Sequence, residues 1–321
     1  MTPQYLLDLP TLDQPSEEAV PQQRRTRAAN EKRFRDDAVA IETESAQAAG
    51  AVGYMARVLV QATMPHSKQP GNEFVRSNGQ LKVTIVATSD VGLPYGCYPR
   101  LLLAWLTTEA VRTRSPTLHI GRSLSEFMRT LGLLPSGGDL GSMPRLKDQA
   151  RRLFRSYVTA TPIFESDEPG RDRGRNMLVA DDWDLWWNPG EAPQEQGSSF
   201  QSWVKLSDKF YRQVTDRPVP VDMRAIRALK KSPLALDLYA WATYRTSYLR
   251  ESAHIPWEYL QMQFGADYAE SAEGRRNFKK KIIAALEKVS KVYAQLRIDA
   301  EEDHLVLRPS RPHIPRLGGA E

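Results

Sequence analysis

Cysteine is almost missing: Cys97 is the one thiol in 321 residues. An internal disulfide is therefore excluded, and a reducing cytoplasm fits. A single thiol with no histidine spaced to it reads as a small core or turn residue rather than a nucleophile. Histidine is also scarce. His66, His119, His254, His304 and His313 make up the whole set, and none stands at metal-ligand spacing from another or from Cys97. No glycine-rich loop runs into Lys-Ser or Lys-Thr, so nucleotide hydrolysis by a P-loop has no seat. No His-x-His precedes a tyrosine in the way a strand-nicking enzyme needs. Asp181-Asp182 and Glu301-Glu302 are acidic pairs without a second acidic cluster, and they read as solvated turns. The expectation is a protein without catalytic residues, bound metal or cofactor. Long apolar runs are absent as well. None approaches the roughly 20 residues that span a bilayer, and the N-terminus lacks a basic-then-apolar signal.

Positive charge is present in slight excess. Lys and Arg number 44 against 39 Asp and Glu, a formal net charge of +5. That balance favours a polyanionic partner only if the charges are gathered in one place. The length fits about two domains, each able to bury its own core.

The charges do gather. In residues 144–157, Leu146, Ala150, Leu153 and Tyr157 recur at i, i+4, i+7 and i+11, one apolar stripe of an amphipathic helix. At about 100° per residue, Arg151, Arg152 and Arg155 fall opposite the stripe, with Arg145 near them and Lys147 between. Pro144 occupies a first-turn position that tolerates proline. A core-anchored helix with an arginine face has the shape that enters a DNA major groove. A solvated basic helix is the alternative that this stretch alone leaves open.

The surrounding order narrows the choice. Residues 1–27, with four prolines, read as a disordered arm, and residues 28–64 as a helical segment. Asn78-Gly79 between alternating apolar residues marks a hairpin over 73–77 and 81–88. A helix over 99–112, a strand over 117–120 and a helix capped by Ser123 and Glu126 precede a Gly/Ser loop and the arginine helix. Two strands follow, with Arg171, Arg173 and Arg175 at the tip between them. Helix, strand, helix, loop, helix, strand, basic loop, strand is the order of a winged helix.

After a linker over 191–201, the plan returns. A helix begins at Ser232-Pro233. A short strand at His254-Ile255, a helix ending at Gly265, and a basic helix over 275–294 follow. That helix has a stripe of Phe278, Ile282, Ala285, Leu286 and Val289, and it carries Arg275, Arg276, Lys279, Lys280, Lys281 and Lys291. Ala104-Trp105 corresponds to Ala240-Trp241, His119-Ile120 to His254-Ile255, and Leu131-Gly132 to Phe264-Gly265. The second wing contains Glu301 and Glu302 where the first is cationic, so it should avoid phosphate. The expected fold is α+β and mainly helical. It consists of tandem winged-helix domains over 65–190 and 202–312, with short β-hairpin wings, a long N-terminal helix and a tail over 313–321. Two such units would grip successive groove segments.

The strings GLPYGCYPRLLLAWLTTEAVRT, SLSEFMRTLGLLPSGG and RLKDQARRLFRS resemble the RepA-type replication initiators of broad-host-range bacterial plasmids. So do VKLSDKFYRQV, KKSPLALDLYAWATYR, IPWEYLQMQFG and LRPSRPHIP further on, and the likeness covers roughly residues 50–315. The resemblance implies binding of double-stranded origin DNA at repeated sequences (iterons). It also implies opening of adjacent A·T-rich DNA, recruitment of the host initiator ATPase and replicative helicase, and repression of its own promoter. A transcriptional repressor using the same surface is the alternative reading. A homodimer in equilibrium with monomer is a further expectation, with a face formed by the 81–88 hairpin and the 50–64 segment.

Overall fold

What reads as one helix over 28–64 stops at Thr43. The computed structural model describes residues 19–121, 123–163, 174–185, 202–265, 268–269 and 271–315, with backbone alone for 19–25. Helix α1 (Ala19–Thr43) begins inside the segment read as an arm. Past a turn come β1 (Val52–Met55) and the short α2 (Arg57–Gln61). Gly50, in the turn seven residues past the end of α1, takes a φ of +59 that no helix continues through. At Gly53 a Cβ would lie 2.4 Å from Met223 Sδ. That close approach lets β1 pair antiparallel with β9 (Val219–Asp222). The partner strand is more than 160 residues away in sequence, so local periodicity could not reveal it.

The Asn-Gly hairpin forms as read, from β2 (Glu73–Ser77) and β3 (Leu81–Val86). Asn78 Oδ1 accepts from the backbone N–H groups of Gln80 and Leu81 at 3.0 and 2.8 Å, and Gly79 takes a φ of +83. The first winged helix then runs α3 (Cys97–Thr113), β4 (Thr117–Gly121), α4 (Leu124–Thr130), α5 (Ser142–Phe154), β5 (Tyr157–Pro162), β6 (Arg175–Leu178) and β7 (Ala180–Asp184). Ser123 caps α4 by accepting from Glu126 N at 3.2 Å.

Strand β8 (Ser202–Leu206) and helix α6 (Asp208–Thr215) complete this unit rather than opening the next. β8 lies between β4 and β7, and β5 joins β6 to the hairpin in the sheet β2-β3-β5-β6. Val204, Leu206, Phe210 and Val214 fill the first core. The boundary expected at residue 202 therefore moves past α6. Alternating Val204 and Leu206 needed a sheet to bury against, and β4 supplied it.

The second unit runs α7 (Met223–Leu229), α8 (Pro233–Thr246), β10 (Ala253–Pro256), α9 (Trp257–Phe264), α10 (Ala272–Val292), β11 (Ile298–Ala300) and β12 (His304–Leu307). Its sheet has the order β10-β12-β11, so the strand after the first helix pairs directly with the wing. Ser232 caps α8 with Pro233 in its first turn. His313 and Ile314, expected in a tail, pack into this unit. Tyr239 donates to His313 Nδ1 at 2.7 Å, and the His313 ring stacks on Tyr293 with centroids 4.6 Å apart. The chain is thus α+β, with two winged-helix units, short wings and a long N-terminal helix.

In both units a tryptophan of the first helix meets a phenylalanine of the second edge-on. Trp105 and Phe127 lie 4.9 Å apart, and Trp241 and Phe264 5.9 Å apart. Helix α3 serves both cores. Leu102, Leu103, Trp105 and Leu106 fill the first, while Leu101 and Ala104 fill the second. Each fully buried leucine contributes about 1.5–3 kcal/mol relative to exposure.

A buried charge pair reinforces this joint. Arg100 of α3 donates from Nε and Nη2 to the two carboxylate oxygens of Asp237 on α8, both at 2.7 Å. Its remaining N–H groups reach the carbonyls of Met64, Pro65 and Gly96 at 2.7–3.0 Å. His66 Nε2 donates to Asp237 Oδ2 at 2.8 Å. Burial pushes the Asp237 carboxyl up, but the Arg100 charge and the hydrogen bonds from His66 and Arg100 outweigh it and hold the carboxyl below its ordinary range.

Candidate nucleic-acid interface

The turn into each basic helix has no room for a side chain. At Gly141, the N-cap of α5, a Cβ would stand 2.3 Å from Gly137 O. At Gly274, in the first turn of α10, it would stand 2.0 Å from Ala269 O. The chain therefore folds tightly onto the start of each helix, as a helix-turn-helix requires. Before α5, Ser136 and Ser142 tie the turn by bonding each other's backbone N–H at 2.9 Å through their hydroxyls. Before α10, Ser271 accepts from Gly274 N at 3.1 Å.

Helix α5 buries Leu146, Gln149, Ala150, Leu153 and Phe154. Tyr157, read as the last member of its stripe, instead begins β5 and is 50 % exposed, because the helix ends one turn earlier. Arg145 and Arg151 reach solvent. Arg152 does not behave as an outer-face arginine. Its Nε donates to Asp148 at 2.8 Å, its guanidinium lies over Tyr95 at 5.6 Å, and its side chain is 16 % exposed. Arg155 donates to Asp90 Oδ2 at 2.8 Å and lies over Trp183 at 5.9 Å. Arg151 Nη2 is 3.8 Å from the same Asp90 oxygen. A hydrogen bond from Thr88 holds the Asp90 carboxyl below its ordinary range against desolvation, with the Arg155 and Arg151 charges adding to it. Asp90 is thus a counter-charge on this basic face that sequence reasoning missed. It lies over 60 residues away, in a turn with no local signal. Lys147 is half-buried.

At the wing, Arg175 opens β6 and donates to Gln213 Oε1 of α6 at 3.0 Å. Arg171 and Arg173 lie outside the described residues.

On α10, Arg275, Arg276, Lys280 and Lys281 are exposed, the first two in the opening turn. Lys279 turns the other way. Its ammonium donates to the carbonyls of Glu301 and Glu302 at 3.0 and 2.6 Å and sits 4.9 Å from the Trp257 ring centre. Trp257 Nε1 donates to the same two carbonyls at 3.2 and 3.0 Å. The acidic wing tip is thereby latched to α9 and α10. Lys291 lies in the last turn of α10, well away from Arg276, and borders a different part of the surface. His254 and His304 meet at 2.9 Å across the strands of this wing. Among the described residues, no group of three or more His, Cys, Asp or Glu is arranged to hold a metal. No helix among them is long and apolar enough to cross a membrane.

The chain is similar in fold to a solved structure. Crystals of domains 2 and 3 of RctB, as a selenomethionine derivative, match with a TM-score of 0.50 and 13 % identity. The match covers 79 % of this chain and 96 % of that one. A second RctB structure, covering its residues 155–483, gives a TM-score of 0.48 at 13 % identity, over 78 % of this chain and 94 % of that one. Similarity at this identity speaks to the fold alone. No curated protein matches the chain. A family model described as plasmid encoded RepA protein, RepA_C, matches residues 93–259, from the segment before α3 to the start of α9. That is just over half of the 321 residues, and the chain therefore belongs to the RepA family of plasmid replication initiators.

Proposed function

We propose that this RepA-family protein initiates plasmid replication by binding repeated duplex elements at the origin. Helices α5 and α10 lie in successive major grooves, and the protein itself supplies no catalysis, metal or cofactor. The observation that carries the reading is the doubled reading helix, each copy entered through a glycine-tight turn. Arg145 and Arg151 of α5, and Arg275, Arg276, Lys280 and Lys281 of α10, are the exposed cations in position for base edges and phosphates. Arg175 serves the backbone beside them. Arg155 joins once DNA displaces Asp90, whereas Arg152 and Lys279 position their helices and contact no DNA. The joint at α3 and α8 favours one fixed spacing between the two helices. Opening of adjacent DNA, recruitment of a host initiator ATPase and helicase, and a cytoplasmic site of action follow from the family.

Footprinting on DNA flanking the gene, at two salt concentrations, tests the proposal. Regularly spaced protection that survives the higher salt is expected. Arg151→Ala and Arg276→Ala should each weaken it by about 1–3 kcal/mol if the lost contact is a bidentate guanine pair. Diffuse protection that vanishes with salt would reduce the interface to charge alone. A reporter under the gene's own promoter, read beside a plasmid-establishment assay, separates initiation from repression.

A further inference from the structure

A cleft of about 1710 Å³ lies between the two units. It is lined by α1, the N-terminal ends of α3 and α5, the turn between α7 and α8, and the C-terminal half of α10. Ten Lys and Arg line it against three Asp and Glu, a local net charge of +7. The whole chain carries +5, so everything outside the cleft sums to −2. The cleft alone therefore carries a larger net positive charge than the whole chain.

Most of these cations lack carboxylate partners. Arg27 pairs with Glu31 at 3.1 Å. Among the described residues, Arg33, Arg145, Lys230, Lys231, Lys288 and Lys291 form no ion pair. Lys231 reaches only Asn30 Oδ1, at 2.6 Å, and Lys230 only the Gly132 carbonyl. Burial and then the neighbouring Arg33 charge, with Lys231 and Arg227 adding to it, push the Lys230 ammonium below its ordinary range despite Asp37. Ten like charges against three carboxylates are a standing cost that an anionic ligand would relieve.

Position and size choose among anions. The cleft is continuous with the proposed interface, because Arg145, Asp148 and Gln149 of α5 form one of its walls. Lys288 and Lys291 lie 12 and 15 residues beyond Arg276, about 18–22 Å along α10 at 1.5 Å per residue. The cleft is therefore not the reading end of that helix. Its volume equals a cube about 12 Å on edge, the width of the major groove alone at about 12 Å. Those dimensions suit one strand better than a duplex. Phe34, Tyr98 and Leu133 line the same space and offer apolar surface to bases.

We propose that this cleft holds one nucleic-acid strand by its phosphodiester backbone, beside the duplex carried by α5 and α10. The assignment rests on the DNA-binding reading above. The test uses the full chain, a labelled short oligothymidylate, and anisotropy across a salt series. Arg33→Gln, Lys231→Gln and Lys288→Gln together remove three exposed cations. On single strands each lost phosphate contact flattens the log–log salt slope by about 0.7, so the triple variant should lose about 2 from the slope while keeping the duplex footprint. The variant Arg151→Ala with Arg276→Ala should do the reverse, losing the footprint and keeping oligothymidylate. No binding of oligothymidylate by the unaltered chain, or an unchanged slope in the triple variant, overturns the proposal. So does an oligoglutamate of equal charge that binds as tightly and is lost in the same variant, which would assign the cleft to an acidic peptide. If oligothymidylate binds as expected but no duplex footprint exists, the groove-reading proposal fails and the cleft stands.

Discussion

Replacing Asp237 with asparagine should cost the protein about 3 kcal/mol. The carboxylate accepts two hydrogen bonds at 2.7 Å from Arg100 and one at 2.8 Å from His66, in a site where both Arg100 and Asp237 are at most 5 % exposed. Removing one partner of a buried ion pair costs about 3–5 kcal/mol, because the other charge stays desolvated. The lower end applies because Arg100 retains the carbonyls of Met64, Pro65 and Gly96. Asparagine also turns an N–H₂ toward donors that the carboxylate received. Against a total stability of about 5–15 kcal/mol, such a loss is readily measured by urea unfolding of the full chain. Asp148→Asn, which weakens a partly exposed pair with Arg152, is the control and should stay within about 1 kcal/mol. The pH dependence has a definite sign. Because the folded carboxyl lies below its ordinary range, its stabilisation is complete above that range and is lost as pH falls through the folded value. The variant should therefore show a flatter fall in stability on acidification. A cost no larger than the control's, or an unchanged acid limb, would refute the idea that this pair holds the units together.

Two further outcomes follow from single residues. Asp90→Ala releases Arg151 and Arg155 from their shared carboxylate, so duplex binding should tighten. The salt slope should steepen by about 0.9 for each phosphate that a freed arginine reaches; weaker binding would mean that Asp90 positions the arginines instead of neutralising them. Burial lowers the His313 imidazole from 6.5 to about 4, so stability should decline as pH falls from 6.5 toward 4. A ring titration by NMR near 6.5 would show that the stack on Tyr293 does not exclude water.

Much of this architecture was written in local patterns. Ser123, Ser207 and Ser232 cap the helices they precede, and Asn78-Gly79 makes its hairpin, because each signal acts within four residues. The stripe Phe278, Ile282, Ala285, Leu286 and Val289 is buried throughout for the same reason. What was hidden depended on partners distant in sequence. Val52 and Gly53 look helical until Val221 and Asp222 lie beside them, and Val204 has no address until β4 does. The basic faces were legible as charge but not as availability. Arg152 and Lys279 carry the same charge as Arg151 and Lys280, yet Tyr95 and Trp257 claim them, and nothing in the helical repeat marks which arginine an aromatic ring will hold.

Helix α3 gives its two sides to two different cores, and on the proposed duplex-binding reading that has a consequence for the DNA. A protein with a flexible tether between its reading heads can follow an extra base pair by swinging one head around the helix axis. Here the wall of one head is the wall of the other, so no swivel exists between them. Inserting a single base pair between the two recognised segments turns one groove by about a tenth of a helical turn relative to the other, and the protein has no joint with which to follow. Phase, more than sequence at any one position, would then separate a true site from a near match.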